Sequence, residues 1–277
     1  MSVDTTSTPL RLLSYPYSRL TPLRGGRVGL KAGAYEPGTA VVWSVGSAVR
    51  SAVLDLLLRR PGGLWLVILL PPAAQVLDNP TLVHTIQQLR PQAILPHHPN
   101  PRAQELAHLL RRPPLDLAAD VTDYLAWRGI AMDRPTTRLV RRIVELSSHL
   151  RSVSGLARGL YMSRRALGRR FMALGLPVPS HWLQMARLMR VTIRLQSTSD
   201  SIFAAACALG YPDGFSVSNQ MNRLFGIRPT QARERLGWEW VLEAWLRREA
   251  ENGSLAPGAT NKIRGSHGAQ EAQPISM

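Results

Sequence analysis

One local plan occurs twice between Ser152 and Leu236, and it commits that stretch to short, packed helices. In the first copy Ser163 precedes Arg164-Arg165-Ala166-Leu167-Gly168-Arg169-Arg170-Phe171-Met172-Ala173-Leu174. A serine hydroxyl in that place accepts an orphan backbone N–H of a helix's first turn. Leu167, Phe171 and Leu174 recur at i, i+4 and i+7, which predicts one buried face. Arg165, Gly168, Arg169 and Met172 recur on another face, predicted to point outward. About fifty positions later the plan returns. Ser201 to Ala208 is an alanine-rich helix, and Gly210-Tyr211-Pro212-Asp213 is a turn in which glycine is free to take positive φ and Asp213 is placed as a cap. The helix from Gly214 to Phe225 is predicted to bury Val217, Met221, Leu224 and Phe225 and to expose Phe215, Ser218, Asn219 and Asn222. Gly226-Ile227-Arg228-Pro229 then stops it and starts a short helix, since proline suits a first helical position. A single long helix, Ser180 to Gln196, joins the copies and spans ~25 Å at 1.5 Å per residue.

Each copy is a helix-turn-helix whose second helix has the size to enter a DNA major groove, and the linking helix suits two such helices about one DNA turn, ~34 Å, apart. Arginine is the side chain that best matches guanine O6/N7 and phosphate, and here two guanidiniums flank a glycine that lets DNA come close. The net charge is +16, and only Lys31 and Lys262 among 34 basic residues are lysine. A GC-rich coding bias would explain the arginine but not its location. Residues 137–235 hold 16 Arg against 4 acids, a net of +12; residues 1–136 hold 14 basic residues against 9 acidic, a net of +5. The excess sits on the helices that would meet phosphate, as counterion release requires. Arg187, Arg190 and Arg194 of the linking helix are candidate phosphate contacts, with a solvated face as the alternative.

The run SxxxLxRxF at Ser163–Phe171, then MARLMR, then SI…ALGYPD…FGIRP ending at Pro229, resembles the DNA-binding domain of AraC/XylS-type transcriptional regulators. The resemblance covers Thr137 to Leu236. It implies an all-α domain of two helix-turn-helix units joined by a long helix, with both recognition helices in successive major-groove segments. Carried over, the base-reading positions fall on Arg165, Gly168 and Arg169 with Arg164 nearby, and on Gly214, Phe215, Ser218 and Asn219; Arg170 and Arg187 complete the expected DNA-binding set through phosphate. The chain departs from the family where Val217, Asn219 and Met221 stand for the usual phenylalanine, arginine and phenylalanine. Ala205 stands where a larger aliphatic residue is common, and Tyr161 replaces a usual turn glycine. The first unit is therefore expected to dominate.

The rest of the chain reads as mainly α with a small α/β part. Residues 1–38, rich in Pro, Gly, Ser and Thr, are expected to form a flexible arm with a strand at Arg27–Leu30. Residues 39–130 alternate strands (Ala40–Val45, Leu64–Leu70, Ala93–Leu95) with helices (Ala48–Arg60, Thr81–Leu89, Arg102–Leu110). This predicts a small parallel sheet of three or four strands flanked by helices, a candidate sensing or dimerisation domain. Its outline resembles a shrunken receiver-like domain, but the strand ends carry Ser44, Pro71 and Pro96 rather than an acidic cluster, which excludes phosphotransfer. Pro113-Pro114 and Asp133-Arg134-Pro135 bracket a junction helix, Val121–Arg128, in which Tyr124 and Trp127 share a packing face. Residues 131–250 form the helix-turn-helix domain with its C-terminal helix, and 251–277 read as a disordered tail.

Several classes are set aside. No P-loop, dinucleotide fingerprint or Ser/His/Asp motif is present, so no catalytic residue and no cofactor is expected. His97-His98 lack nearby ligands and are read as a plain loop, so no metal is expected. Cys207, the one cysteine, is read as a buried thiol on a core helix and fits a reducing compartment. Met1–Ser14 lacks a signal-peptide pattern and Leu64–Leu70 is too short for a membrane span, so a cytoplasmic protein without membrane contact is expected. The expected partner is double-stranded DNA, with RNA polymerase and a second copy, through the N-terminal domain, as further candidates. The alternatives are a non-specific architectural DNA-binding protein and, further off, a DNA-targeted alkyl-transfer repair enzyme, which would need a reactive cysteine.

Overall fold

The computed structural model describes residues 10–23, 30–31, 33–45, 51–70, 80–96, 101–130 and 132–255. The uninterrupted apolar run ahead of Pro71 forms strand β4 (Trp65–Leu70), with parallel neighbours β3 (Ala40–Ser44) and β5 (Ala93–Pro96). Val42 lies opposite Val67, and Val67 opposite Ala93. Two further strands, β1 (Leu10–Leu13) and β2 (Leu20–Pro22), extend the sheet to the order β2-β1-β3-β4-β5, both pairings of β1 being antiparallel. The sheet is thus five-stranded and mixed, where three or four parallel strands were expected. The difference comes from residues 10–22, which the sequence analysis placed in a flexible arm. Strands this short carry almost no alternation, and Leu10 and Leu13 are buried only because β3 offers a paired edge. Pro22 is tolerated because β2 lies at the sheet's edge. The expected strand at Arg27–Leu30 falls almost wholly outside the described residues; Leu30 itself is buried without strand pairing.

Period-two alternation gives the sheet two apolar faces. Val41, Trp43, Leu66 and Ile68 pack in one cluster with Leu57 of α1 (Ser51–Leu58) and Ile86 and Leu89 of α2 (Pro80–Leu89). Val42, Val67 and Leu69 belong to the other cluster, with Leu106 and Leu110 of α3 (Ala103–Leu110) and Val121 and Leu125 of α4 (Leu117–Trp127). That second cluster continues without a break into the helices that follow. The chain positions taken as a domain junction therefore lie inside one hydrophobic core.

Those helices are α5 (Arg134–Leu146), α6 (Val153–Gly159), α7 (Arg164–Ala173), α8 (Pro179–Ser197), α9 (Ile202–Ala208), α10 (Gly214–Phe225), α11 (Pro229–Glu234) and α12 (Glu239–Glu251). The starts of α5, α6, α7, α9 and α10 are capped by Asp133, Ser152, Ser163, Ser201 and Asp213, each accepting from a backbone N–H three residues on. On α5 Thr136, Val140, Ile143 and Val144 are fully buried, while Leu139 is only half-buried. At the centre, Trp182 of α8 meets Trp245 of α12 edge-on, with ring centroids 4.8 Å apart.

The end of α11 and the start of α12 clamp this bundle to the sheet. Tyr17 donates to the Gly38 carbonyl (3.0 Å) and accepts from the Leu236 N–H (2.8 Å). Gly237, at φ +78°, lies so close to the Trp65 indole that any side chain there would strike the ring. Buried Glu239 meets Arg90 at 2.5 Å and accepts two bonds from Gln92. Glu243 takes Arg128 at 2.5 Å and the Tyr124 hydroxyl at 2.7 Å, and that hydroxyl accepts from the Gly63 N–H at 2.8 Å. Arg60 is buried among the carbonyls of Leu57, Leu64, Leu89 and Arg90, and burial lowers its pKa to about 10. Desolvation of a guanidinium is costly unless its donors are used, and here four carbonyls use them.

Candidate nucleic-acid interface

The two helix-turn-helix turns are built alike. After α6, Tyr161 donates to Arg158 at 3.0 Å and Met162 to Ala157 at 2.9 Å. After α9, Gly210 donates to Cys207 at 2.9 Å and Tyr211 to Ala206 at 3.0 Å. Both are helix C-caps closed by a left-handed residue, φ +54° at Tyr161 and +70° at Gly210. The second turn is one residue longer before its N-cap, Asp213 rather than Ser163.

On α7, Leu167 and Phe171 are fully buried, and Phe171 packs edge-on against Trp182. Leu174, expected on the same face, is 38% exposed: the helix has ended, and Leu176 enters the core in its place. Arg164, Arg165 and Arg169 are exposed and have no hydrogen-bond or ion-pair partner among the described residues. A Cβ added to Gly168 would meet nothing within 4 Å, so the space above it is open. Met172 is 71% exposed beside them. Arg158 on α6 is likewise exposed and unpartnered among the described residues.

Arg170 is different. Its Nε donates to Thr136 Oγ1 and its Nη2 to Asp133 Oδ2, both at 2.9 Å, which ties α7 to the cap of α5. The bonds from Thr136, with Arg170 beside them, hold the Asp133 carboxyl below the usual carboxylate range. Arg187 departs from expectation too. It is 8% exposed, donates to the Leu209 carbonyl at 3.0 Å and stacks on Tyr211 at 4.2 Å. Arg190 bonds Ser147 and the Val144 carbonyl, and Arg194 pairs with Asp200. Of these, Arg187 is buried and Arg190 half-buried against the end of α5, while Arg194 stays exposed in its pair with Asp200.

On α10, Val217 and Met221 are fully buried and Leu224 and Phe225 nearly so. Phe215 is 74% exposed and Asn219 and Asn222 are exposed. Ser218 is half-buried and donates back to the Gly214 carbonyl at 2.8 Å, so its hydroxyl is partly engaged. Gly214 sits against α9, where an added Cβ would come within 3.2 Å of Ile202 Cγ2 and 3.5 Å of the Phe203 nitrogen. The bonds from the Ser216 N–H and hydroxyl hold Asp213 in its charged form, its pKa lowered. Phe203 was missed by the sequence reading. It is 60% exposed, because Ala205 and Ala206 form the buried stripe of α9. Helical spacing from those alanines would have placed it outside. The same stripe leaves Cys207 exposed, not buried as expected.

Among the described residues no group of three or more His, Cys, Asp or Glu side chains gathers as a metal site, and His97-His98 lie outside them. Among the same residues no helix is long and apolar enough to cross a membrane.

Comparisons with known proteins bear on this region. No curated protein matches the chain. Among solved structures, the DNA-binding domain of AdpA, the global transcriptional factor, in complex with a target DNA, is similar at 27% identity and a TM-score of 0.32, covering 36% of this chain and 91% of that one. A family model described as a helix-turn-helix domain matches residues 156–235, from within α6 to the residue after α11. Residues 156–235 therefore form a helix-turn-helix domain, with α7 and α10 as the second helices of its two units.

Proposed function

We propose that this chain is a sequence-specific regulator that lays α7 and α10 in successive major-groove segments of double-stranded DNA, with α7 the stronger reader. The observation that carries this is the state of the arginines. Arg164, Arg165 and Arg169 stand free around the open space over Gly168, while Arg170, Arg187, Arg190 and Arg194 are engaged within the protein. Arg165 and Arg169 read base edges, because a free guanidinium donates in a fork that matches guanine O6/N7. Arg164 and Arg158 hold phosphate. Arg170 and Arg187 leave the contact set and become braces for the two helices. On α10, Phe215 offers an apolar surface suited to thymine methyls, and Asn219 suits adenine N6/N7.

The sheet part, residues 39–130 with β1 and β2, is the sensing or dimerising portion in this reading. RNA polymerase and a second copy are the further partners. Selection of duplexes from a random pool tests the function. Enrichment of a motif with two contacted segments one helical turn apart supports it; equal binding of selected and random duplexes points instead to an architectural protein.

A further inference from the structure

Each helix-turn-helix unit packs on the linking helix α8. A more direct link between the units runs through Arg151, in the loop between α5 and α6. The next residue, Ser152, caps α6, its hydroxyl accepting from the Gly155 N–H at 3.1 Å, so the root of Arg151 is fixed at the start of the first unit. The guanidinium lies on the second unit: any side chain on Gly210 would strike Nε, Cζ and Nη2 of Arg151. Gly210 is the left-handed residue in the turn between α9 and α10. At the matching place in the first unit stands Tyr161; in the second a bare peptide receives an arginine instead.

The second turn is thus held between two guanidiniums in different states. Arg187 approaches from within, bonded to the Leu209 carbonyl at 3.0 Å and stacked on Tyr211. Arg151 is exposed and has no hydrogen-bond or ion-pair partner among the described residues. The carbonyl end of α9 favours a cation in this place, which holds the side chain over the turn without neutralising it. Its charge remains available to an anion from outside the chain.

Duplex geometry identifies the anion. Where two helices enter successive major-groove segments on one face of DNA, the surface midway between them is the minor groove, bordered by phosphates. Arg151, rooted in one unit and resting on the other, stands between the two helices. We propose that Arg151 is a third point of DNA contact, binding a backbone phosphate between the segments met by α7 and α10. The contact fixes register and reads no base. It rests on the function proposed above.

The test titrates the parent protein, Arg151→Ala and Arg151→Lys, each with folding checked by circular dichroism, against a selected duplex and a scrambled one over a series of salt concentrations. A second set of selected duplexes carries one neutral methylphosphonate linkage, stepped through the stretch between the two contacted segments. Arg151→Ala is expected to bind both plain duplexes about three- to tenfold more weakly, with a salt slope lower by about one unit. Arg151→Lys keeps the slope, because it keeps the charge. One methylphosphonate position weakens the parent by the same factor and leaves Arg151→Ala unaffected. An unchanged slope and affinity in Arg151→Ala, or neutral linkages that weaken both proteins alike, overturns the contact. A parent protein that binds no duplex overturns the reading of the whole domain, whereas a binding parent matched by Arg151→Ala overturns this contact alone.

Discussion

Tyr161 and Gly210 hold the same place in the two helix-turn-helix turns, both in the left-handed region, at φ +54° and +70°. Glycine adopts that conformation freely, whereas a residue with a Cβ does so at a cost of roughly 1–2 kcal/mol. Tyr161 is 97% exposed and has no packing to lose. Tyr161→Gly is therefore expected to stabilise the protein by about 0.5–1 kcal/mol, the relief of strain being partly offset by the freer unfolded chain. Denaturant unfolding of the two proteins measures this; a loss of stability would mean that the ring makes a contact in solution.

Gly168 separates stability from recognition. It lies inside α7 with open space before it, so Gly168→Ala is expected to raise stability by about 0.5–1 kcal/mol through helix propensity. The same methyl would stand between the helix and an approaching duplex, so affinity for a selected site is expected to fall. Unfolding and duplex titration on one preparation distinguish the two effects, and an unchanged affinity would place DNA away from this face.

Arg170 and Arg187 are expected to behave as structural residues. Arg187→Ala removes a buried cation that stacks on Tyr211 and satisfies the Leu209 carbonyl, a loss of about 2 kcal/mol of stability. Arg170→Ala breaks the tie to Asp133 on the partly exposed edge of α5 and is expected to cost less. Neither should change the salt slope of DNA binding at temperatures where the variant stays folded, whereas Arg164→Ala should reduce it by about one unit.

Glu239 sets a component of the pH dependence. Burial raises its pKa, against the opposing pull of Arg90 and Gln92. The folded state therefore keeps this proton to higher pH than the unfolded chain does. The associated stability is present at low pH and declines as pH rises from the ordinary glutamate range, about 4.3, through the folded value. Asp133 and Asp213, with lowered pKa values, act in the opposite sense: their contribution is lost as pH falls below about 4. Glu239→Gln should flatten the decline on the higher-pH side and leave the acid limb alone, as read by unfolding midpoints from pH 3 to 8.

The helix-turn-helix domain was legible because its signals are local. Ser163 and Asp213 announce helix starts within three residues, and Leu167 with Phe171, or Val217 with Met221, fixes which side is buried. Trp65–Leu70 was legible as a strand buried on both faces. What was not legible depends on partners distant in sequence. β1 exists through its pairing with β3, some thirty residues on, and nothing near Leu10 signals that edge. Which arginines are free was equally hidden, since Arg170 is bound to Asp133 and Arg187 to Leu209 by the fold and not by spacing. Cys207 and Leu174 were misplaced for a third reason: at the last turn of a short helix a shift of one position moves a side chain from core to solvent.

If α7 reads bases through Arg165 and Arg169, binding of a selected duplex must depend on both side chains. The measurement is titration of a selected duplex and a scrambled one with Arg165→Ala, Arg169→Ala and the parent protein at one salt concentration. Each substitution is expected to weaken the selected duplex by about 1–3 kcal/mol, roughly 5- to 150-fold, and the scrambled duplex far less. Equal weakening on both duplexes, or none on either, would mean that Arg165 and Arg169 do not read bases.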